Sequence, residues 1–293
     1  MLAVGGRHSY GSDMKRVFIR YALTLVPLLV LAAAAPTEPL TPMTPDVVAS
    51  YEQVRPEADF IKRVVMVPMR DGTRLYTVIM LKKGSANAPI LLSRTPYDAK
   101  GSTSRTASQS IVDVLPIMDK EFVEDGYIRV YQDIRGLHNS EGQWVMNRPI
   151  VGPLNKTGID ESTDAYDTID WLVKNVPETN GNVGIIGSSY LGFTTLAGEI
   201  NPHPALKAAV PQSPMVDGWM GDDWFHNGAF RTPAFDYAVS MSTGKAEGNG
   251  LAKGPGDDYT RYLEAGSMGD YARKLGIEHY PFVQKLMQNP AYT

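Results

Sequence analysis

The chain reads as an α/β protein built on a mostly parallel sheet. Two observations predict this. Short apolar strands alternate with helical patterns from about residue 60 to residue 213, the signature of a sheet covered on both faces. One run of small and apolar residues, "NVGIIGSSYLGFTTLAG" (182–198), climbs to Gly187-Ser188-Ser189-Tyr190 and turns at once into a helical pattern. At 293 residues the chain has room for one large α/β domain or two smaller ones.

The order of elements begins with an export signal. From Met14 the chain reads "MKRVFIRYALTLVPLLVLAAAAP". Lys15, Arg16 and Arg20 form a positive region, Tyr21 to Leu31 an apolar core, and Ala32 to Ala35 a small-residue cleavage zone. Thr24 and Pro27 interrupt the core, which is too short to span a bilayer comfortably. The expectation is a periplasmic or secreted protein with no stable membrane anchor after cleavage, residues 1–35 being an upstream extension plus signal. Residues 36–60 follow as a proline-rich arm.

A hairpin comes next, with "KRVVMVPM" and "TRLYTVIML" flanking Arg70-Asp71-Gly72. Apolar strands are expected at 88–93, 127–131, 183–186 and 206–210. Between them, "DESTDAYDTIDWLVKNV" places Ala165, Ile169, Leu172 and Val173 on one helical face and Asp164 and Asp167 on the other, which reads as solvated. Asp133 and Arg135 stand just past a strand end, where an Arg–carboxylate pair would pin the loop. This core is expected over 61–213. From 214 to 293 the texture changes to aromatic-rich helices split by the Gly-rich loop "STGKAEGNGLAKGPG", the beginning of a helical cap.

Composition excludes several chemistries. With no cysteine there is no disulfide, thiolate nucleophile or cysteine-held metal. A net charge of −4 and the lack of any basic run argue against a nucleic-acid partner. No His-Glu-x-x-His or calcium-loop pattern occurs, so no metal or other cofactor is expected. The oligomeric state stays open, a homo-oligomer included.

A serine on a sharp strand-to-helix turn exposes its Oγ at the C-terminal edge of the sheet, where ligands of such sheets bind. Ser189 is the better nucleophile candidate, because Gly187 lies two residues before it and Gly192 three after. That spacing is one residue longer than the general Gly-x-Ser-x-Gly elbow, and a structural turn containing serines explains it equally.

Gly187-Ser188-Ser189-Tyr190-Leu191-Gly192 resembles the elbow of the X-prolyl dipeptidyl aminopeptidase and cocaine-esterase-like serine hydrolases. "MRDGTRL" (69–75), "RTPYD" (94–98), "QDIRGLHNSEG" (132–142) and "NPHPALKAAVPQSPMVDGWMGDDWF" (201–225) extend the likeness, which is closest to the α-amino acid ester hydrolases. The resemblance implies an α/β-hydrolase fold with an inserted helical cap. It implies that Ser189 is the acylated nucleophile, that the Tyr190 N–H is one oxyanion donor, and that the Tyr97 hydroxyl is the second. Asp223 matches one carboxylate of a cluster that holds the substrate's α-ammonium group. On the residues alone, Tyr97 reads as a half-buried loop aromatic and Asp222-Asp223 as the acidic start of a cap helix.

The implied activity is acyl transfer from α-amino acid esters or amides, β-lactam side-chain amides included, with a small molecule or peptide as the substrate partner. An Xaa-Pro dipeptidyl peptidase or a general carboxylesterase shares the elbow, and a catalytically dead binding module is the rival outside the enzymes. In the family the acid, the histidine and a jelly-roll domain follow the cap. Of the five histidines here, His8, His138, His203, His226 and His279, none falls after a late strand. The chain therefore reads as truncated before its triad is complete and as nearly inactive in this form; the alternative is that His138 or His226 serves as a substitute base.

Overall fold

The computed structural model describes residues 57–219, 223–227, 229–231, 237, 239–241 and 256–289. The expected export signal, nearly all of the proline-rich arm and all of the Gly-rich loop but Gly256 lie outside the described residues.

Six strands form one sheet: β1 (Phe60–Pro68), β2 (Arg74–Lys82), β3 (Ala88–Thr95), β4 (Ile128–Asp133), β5 (Thr179–Ser188) and β6 (Leu206–Gln212). Their spatial order is β1-β2-β4-β3-β5-β6. β1 and β2 are the predicted hairpin, with Gly72 at a positive φ in its turn. β2 pairs antiparallel with β4, and every later pairing is parallel. The parallel strands are joined by helical crossovers, so both faces are covered. β3 and β4, in the middle of the sheet, are almost wholly buried.

Alternation along the strands sorts side chains to the two faces. Ile79, Leu81, Ile128 and Val130 point to a core shared with Ile169 and Leu172 of helix α4 (Glu161–Asn175). Val78, Met80 and Tyr131 point the other way, onto Ala99, Ile111, Val114 and Val123 of the short helices α1 (Ala99–Ser102), α2 (Ile111–Val114) and α3 (Lys120–Glu124). α4 starts where Asp160 and Thr163 form a reciprocal capping box. Helix α5 (Tyr190–Gly198) lies beside it and follows directly on β5.

Three expectations need correction. Asp133 and Arg135 do not pair with each other. Asp133 accepts from the backbone N–H groups of Ala99 and Asn139, at 2.6 and 3.2 Å. Arg135 instead bridges Asp164 (2.6 Å) and Asp71 (2.7 Å). The acidic face of α4 is not solvated either: Asp164 is 2% exposed, and Asp167 is held by Arg70. The hairpin turn and the loop after β4 bring arginines over that face, which the helix pattern alone could not reveal. Finally, the segment around Asp223 is not the start of a helix. Phe225–His226 (β7) and Ala229–Phe230 (β8) pair as a small antiparallel ribbon. Helices appear further on, as α6 (Asp258–Ala265), α7 (Met268–Leu275) and α8 (Pro281–Gln288), which share the core of Tyr271, Ala272 and Val283.

Candidate active site

β5 runs parallel between β3 and β6 and ends at Ser188. The next residue, Ser189, has φ 61° and ψ −120°. This is backbone territory that L-residues other than glycine avoid. It is held there from both sides: the Ser189 N–H donates to the Gln212 carbonyl of β6 at 3.0 Å, and the Ser189 carbonyl accepts from Phe193 N–H at 3.0 Å. The corner is cramped. A Cβ on Gly187 would lie 2.3 Å from Leu191 Cβ, and one on Gly192 would lie 2.4 Å from the Gln212 carbonyl oxygen. Both contacts are far inside van der Waals distance, so strand and helix approach this closely only because neither residue has a side chain.

The Ser189 side chain is exposed and does not cap the helix it begins. Among the described residues no imidazole is hydrogen-bonded to its hydroxyl. His138 is elsewhere engaged, with Nε2 2.7 Å from the Pro96 carbonyl. Tyr190 follows and is fully buried against Trp144 and Phe193. Its hydroxyl accepts from Asn147 N–H at 2.7 Å, and burial, with the Glu161 charge behind it, raises the phenol far above the tyrosine range. The side chain therefore anchors α5, while the backbone N–H opens the helix as one of the first-turn amides that lack an intrahelical partner.

Tyr97 lies just past the end of β3. Its N–H is held by Thr95 Oγ1 at 2.9 Å, and the residue is 45% exposed. The β3 end is tied to the elbow, because Thr194 of α5 donates to the Arg94 carbonyl at 2.9 Å. The Tyr97 hydroxyl meets that of Tyr237 at 3.0 Å. Sequence reasoning passed over Tyr237, since nothing in "FDYAV" distinguishes it from any other aromatic of the cap. Trp224 stacks on Tyr237 with ring centroids 6.0 Å apart. Asp223, half-buried, precedes Trp224, and its charge acts on the Tyr237 phenol. The structure thus gathers Tyr97, Tyr190 and Asp223 around Tyr237. Among the described residues, no group of three or more His, Asp or Glu converges as a metal site.

Beneath the site lies a buried ionic cluster. Arg94, with no exposed surface, contacts Glu161 (2.8 Å) and Asp164 (3.7 Å) and donates to Gln132 Oε1 at 2.9 Å. Burial raises the Glu161 carboxyl against the lowering influence of Arg94. Charges removed from water in this way are tolerated because each faces a counter-charge.

A mixed sheet with helices on both faces and a strained, exposed serine on the turn between β5 and α5 define an α/β-hydrolase-type protein. More narrowly, the chain belongs to the X-Pro dipeptidyl-peptidase (S15) family, whose model matches residues 71–293. It is similar to a cocaine esterase of Rhodococcus sp. (strain MB1 Bresler), with 35% identity over 181 residues, 61% of this chain and 28% of that protein. Among solved structures, an α-amino acid ester hydrolase superposes with a TM-score of 0.80 at 56% identity, covering 86% of this chain and 41% of that one. An aminopeptidase from a marine sediment archaeon, Thaumarchaeota archaeon, gives the same TM-score at 50% identity, covering 84% of this chain and 41% of that one. The chain therefore spans less than half the length of these relatives.

Proposed function

We propose that the protein is a serine hydrolase that forms an acyl-enzyme on Ser189. The observation that carries this reading is the φ of 61° at an exposed serine between two glycines that admit no Cβ. A turn that merely reversed the chain would put glycine there. Ser189 Oγ attacks the carbonyl carbon of an ester or amide, and a base accepts its proton, as serine nucleophiles require. Charge develops on the carbonyl oxygen, where the Tyr190 N–H and the Tyr97 hydroxyl are the donors. A phenol suits this task because it is neutral at pH 7 and bonds more strongly as negative charge builds. The alcohol or amine leaves with a proton, and water releases the acid.

The substrates are α-amino acid esters and amides, β-lactam side-chain amides included. Asp223 supports this, since a half-buried carboxylate beside the site suits a primary ammonium through charge-assisted hydrogen bonds. The 50% identity with an aminopeptidase favours, as a second reading, action on peptides with a free N-terminus, which would use the same carboxylate.

The test uses the protein expressed from its gene with any sequence that continues in frame past Thr293. A fluorophosphonate should label it once per chain, and Ser189→Ala should abolish labelling. Asp223→Asn should slow amino-acid esters by the roughly 2–5 kcal/mol of a broken desolvated charge pair, with little effect on esters lacking the amino group. Equal losses on both substrates would assign Asp223 to structure. Labelling that survives Ser189→Ala would dismiss the nucleophile.

A further inference from the structure

We infer that Tyr237 is a positioning residue that donates its hydroxyl proton to Tyr97 Oη and so leaves the Tyr97 proton free for the reacting carbonyl. This rests on the reading of Tyr97 as an oxyanion donor. The argument is a count of protons. Two hydroxyls meet at 3.0 Å, and among the described residues neither has another hydrogen-bond partner. Only one of the two protons can lie in that contact, so the other points elsewhere. If Tyr97 donated, the spare proton would belong to Tyr237, the less exposed of the pair, wedged between the cluster around Tyr190 and Met215 and the ring of Trp224. A donor left unpaired there costs free energy that the reverse arrangement avoids. With Tyr237 donating, the spare proton belongs to the exposed Tyr97, at the strand end tied to the elbow helix.

Two consequences follow. Burial first, then the bond to Tyr97, holds the Tyr237 phenol well above the usual tyrosine range, so it always has a proton to give. A hydroxyl that accepts one hydrogen bond also becomes a better donor in the next. Tyr237 is itself held by its stack on Trp224, directly after Asp223. The residue that would hold the substrate's ammonium group and the residue that would hold its carbonyl are thereby braced through one ring.

The variant Tyr237→Phe removes only the hydroxyl. In the same gene product, kcat should fall about 3- to 10-fold, the worth of one neutral hydrogen bond, with KM and melting temperature unchanged. Tyr97→Phe should cost on the order of 100-fold, as for a lost oxyanion donor. The double variant should be no slower than Tyr97→Phe, because Tyr237 acts only through Tyr97. Wild-type kcat in Tyr237→Phe, or losses that add in full, would overturn the inference while Ser189→Ala still abolished labelling. Labelling that survived Ser189→Ala would instead sink the underlying reading. A measurement independent of turnover uses the chain labelled with 13Cζ-tyrosine. The Tyr97 signal, assigned by Tyr97→Phe, should move in Tyr237→Phe, and an unmoved signal would refute the bond.

Discussion

Ser189 holds a conformation that costs about 1–3 kcal/mol for a residue with a side chain. Glycine adopts it freely, though it forfeits some of that gain through a more flexible unfolded chain. Ser189→Gly should therefore raise the unfolding free energy by about 1 kcal/mol in urea titration while abolishing fluorophosphonate labelling. Unchanged stability would mean the turn is relaxed and its shape owes nothing to chemistry. Gly192 makes the opposite case. Its replacement by alanine drives a methyl into the Gln212 carbonyl, which is rigid backbone, and should cost about 1–3 kcal/mol by overpacking.

At the scale of elements, α4 is fastened to the sheet by charge as well as by Ile169 and Leu172. Arg94→Met would strand the buried Glu161 without its cation, while Asp164 keeps Arg135, and should cost about 3–5 kcal/mol, read by urea denaturation. The more exposed pairs act through pH. Burial opposes ionisation of Asp71, but the Arg135 hydrogen bond and the Thr73 amide outweigh it and hold the carboxyl below its usual value. The Arg63 hydrogen bond does the same for Glu178, linking β1 to the start of β5. Both folded values lie below the unfolded ones. Their contribution is thus complete above the unfolded carboxylate range, near 4, and disappears as pH falls through the folded values. Stability should decline on acidification below about pH 4, and Asp71→Asn with Glu178→Gln should flatten that decline. Glu161, raised by burial, has the opposite sign, so its charge weighs against folding at neutral pH and is relieved in acid.

For the molecule as a whole, we propose export, from the charged, apolar and small-residue order between Met14 and Ala35. In a Gram-negative host the protein should accumulate in the periplasm with its N-terminus at residue 35 or 36. Full-length protein in the cytoplasm would refute this. Among the described residues no helix is long and apolar enough to cross a membrane. The 293-residue chain taken alone should label only weakly, because no imidazole is hydrogen-bonded to the Ser189 hydroxyl among the described residues. Rapid labelling lost on replacing His138 or His226 would reveal a substitute base.

Much of the architecture was legible before any coordinates, because it is written in local pattern. Short apolar runs and a Gly-containing turn marked the strands, a 3.6-residue period marked α4, and Gly187 and Gly192 marked the sharp turn at Ser189. Each of these depends on residues within a few positions of one another, where backbone preference and steric bulk act directly. What the pattern could not show is which distant groups meet. Asp164 reads as a surface residue until the fold sets Arg135 and Arg94 against it. Asp133 and Arg135, two positions apart, turn to different partners. The ribbon at 225–230 replaces an expected helix because strand pairing, unlike helix periodicity, depends on the partner segment. Tyr97 and Tyr237 are 140 residues apart, and neither carries a local sign of the other. Solvation, charge pairing and hydrogen-bond direction belong to the environment that the folded chain assembles, so they were decided by tertiary structure.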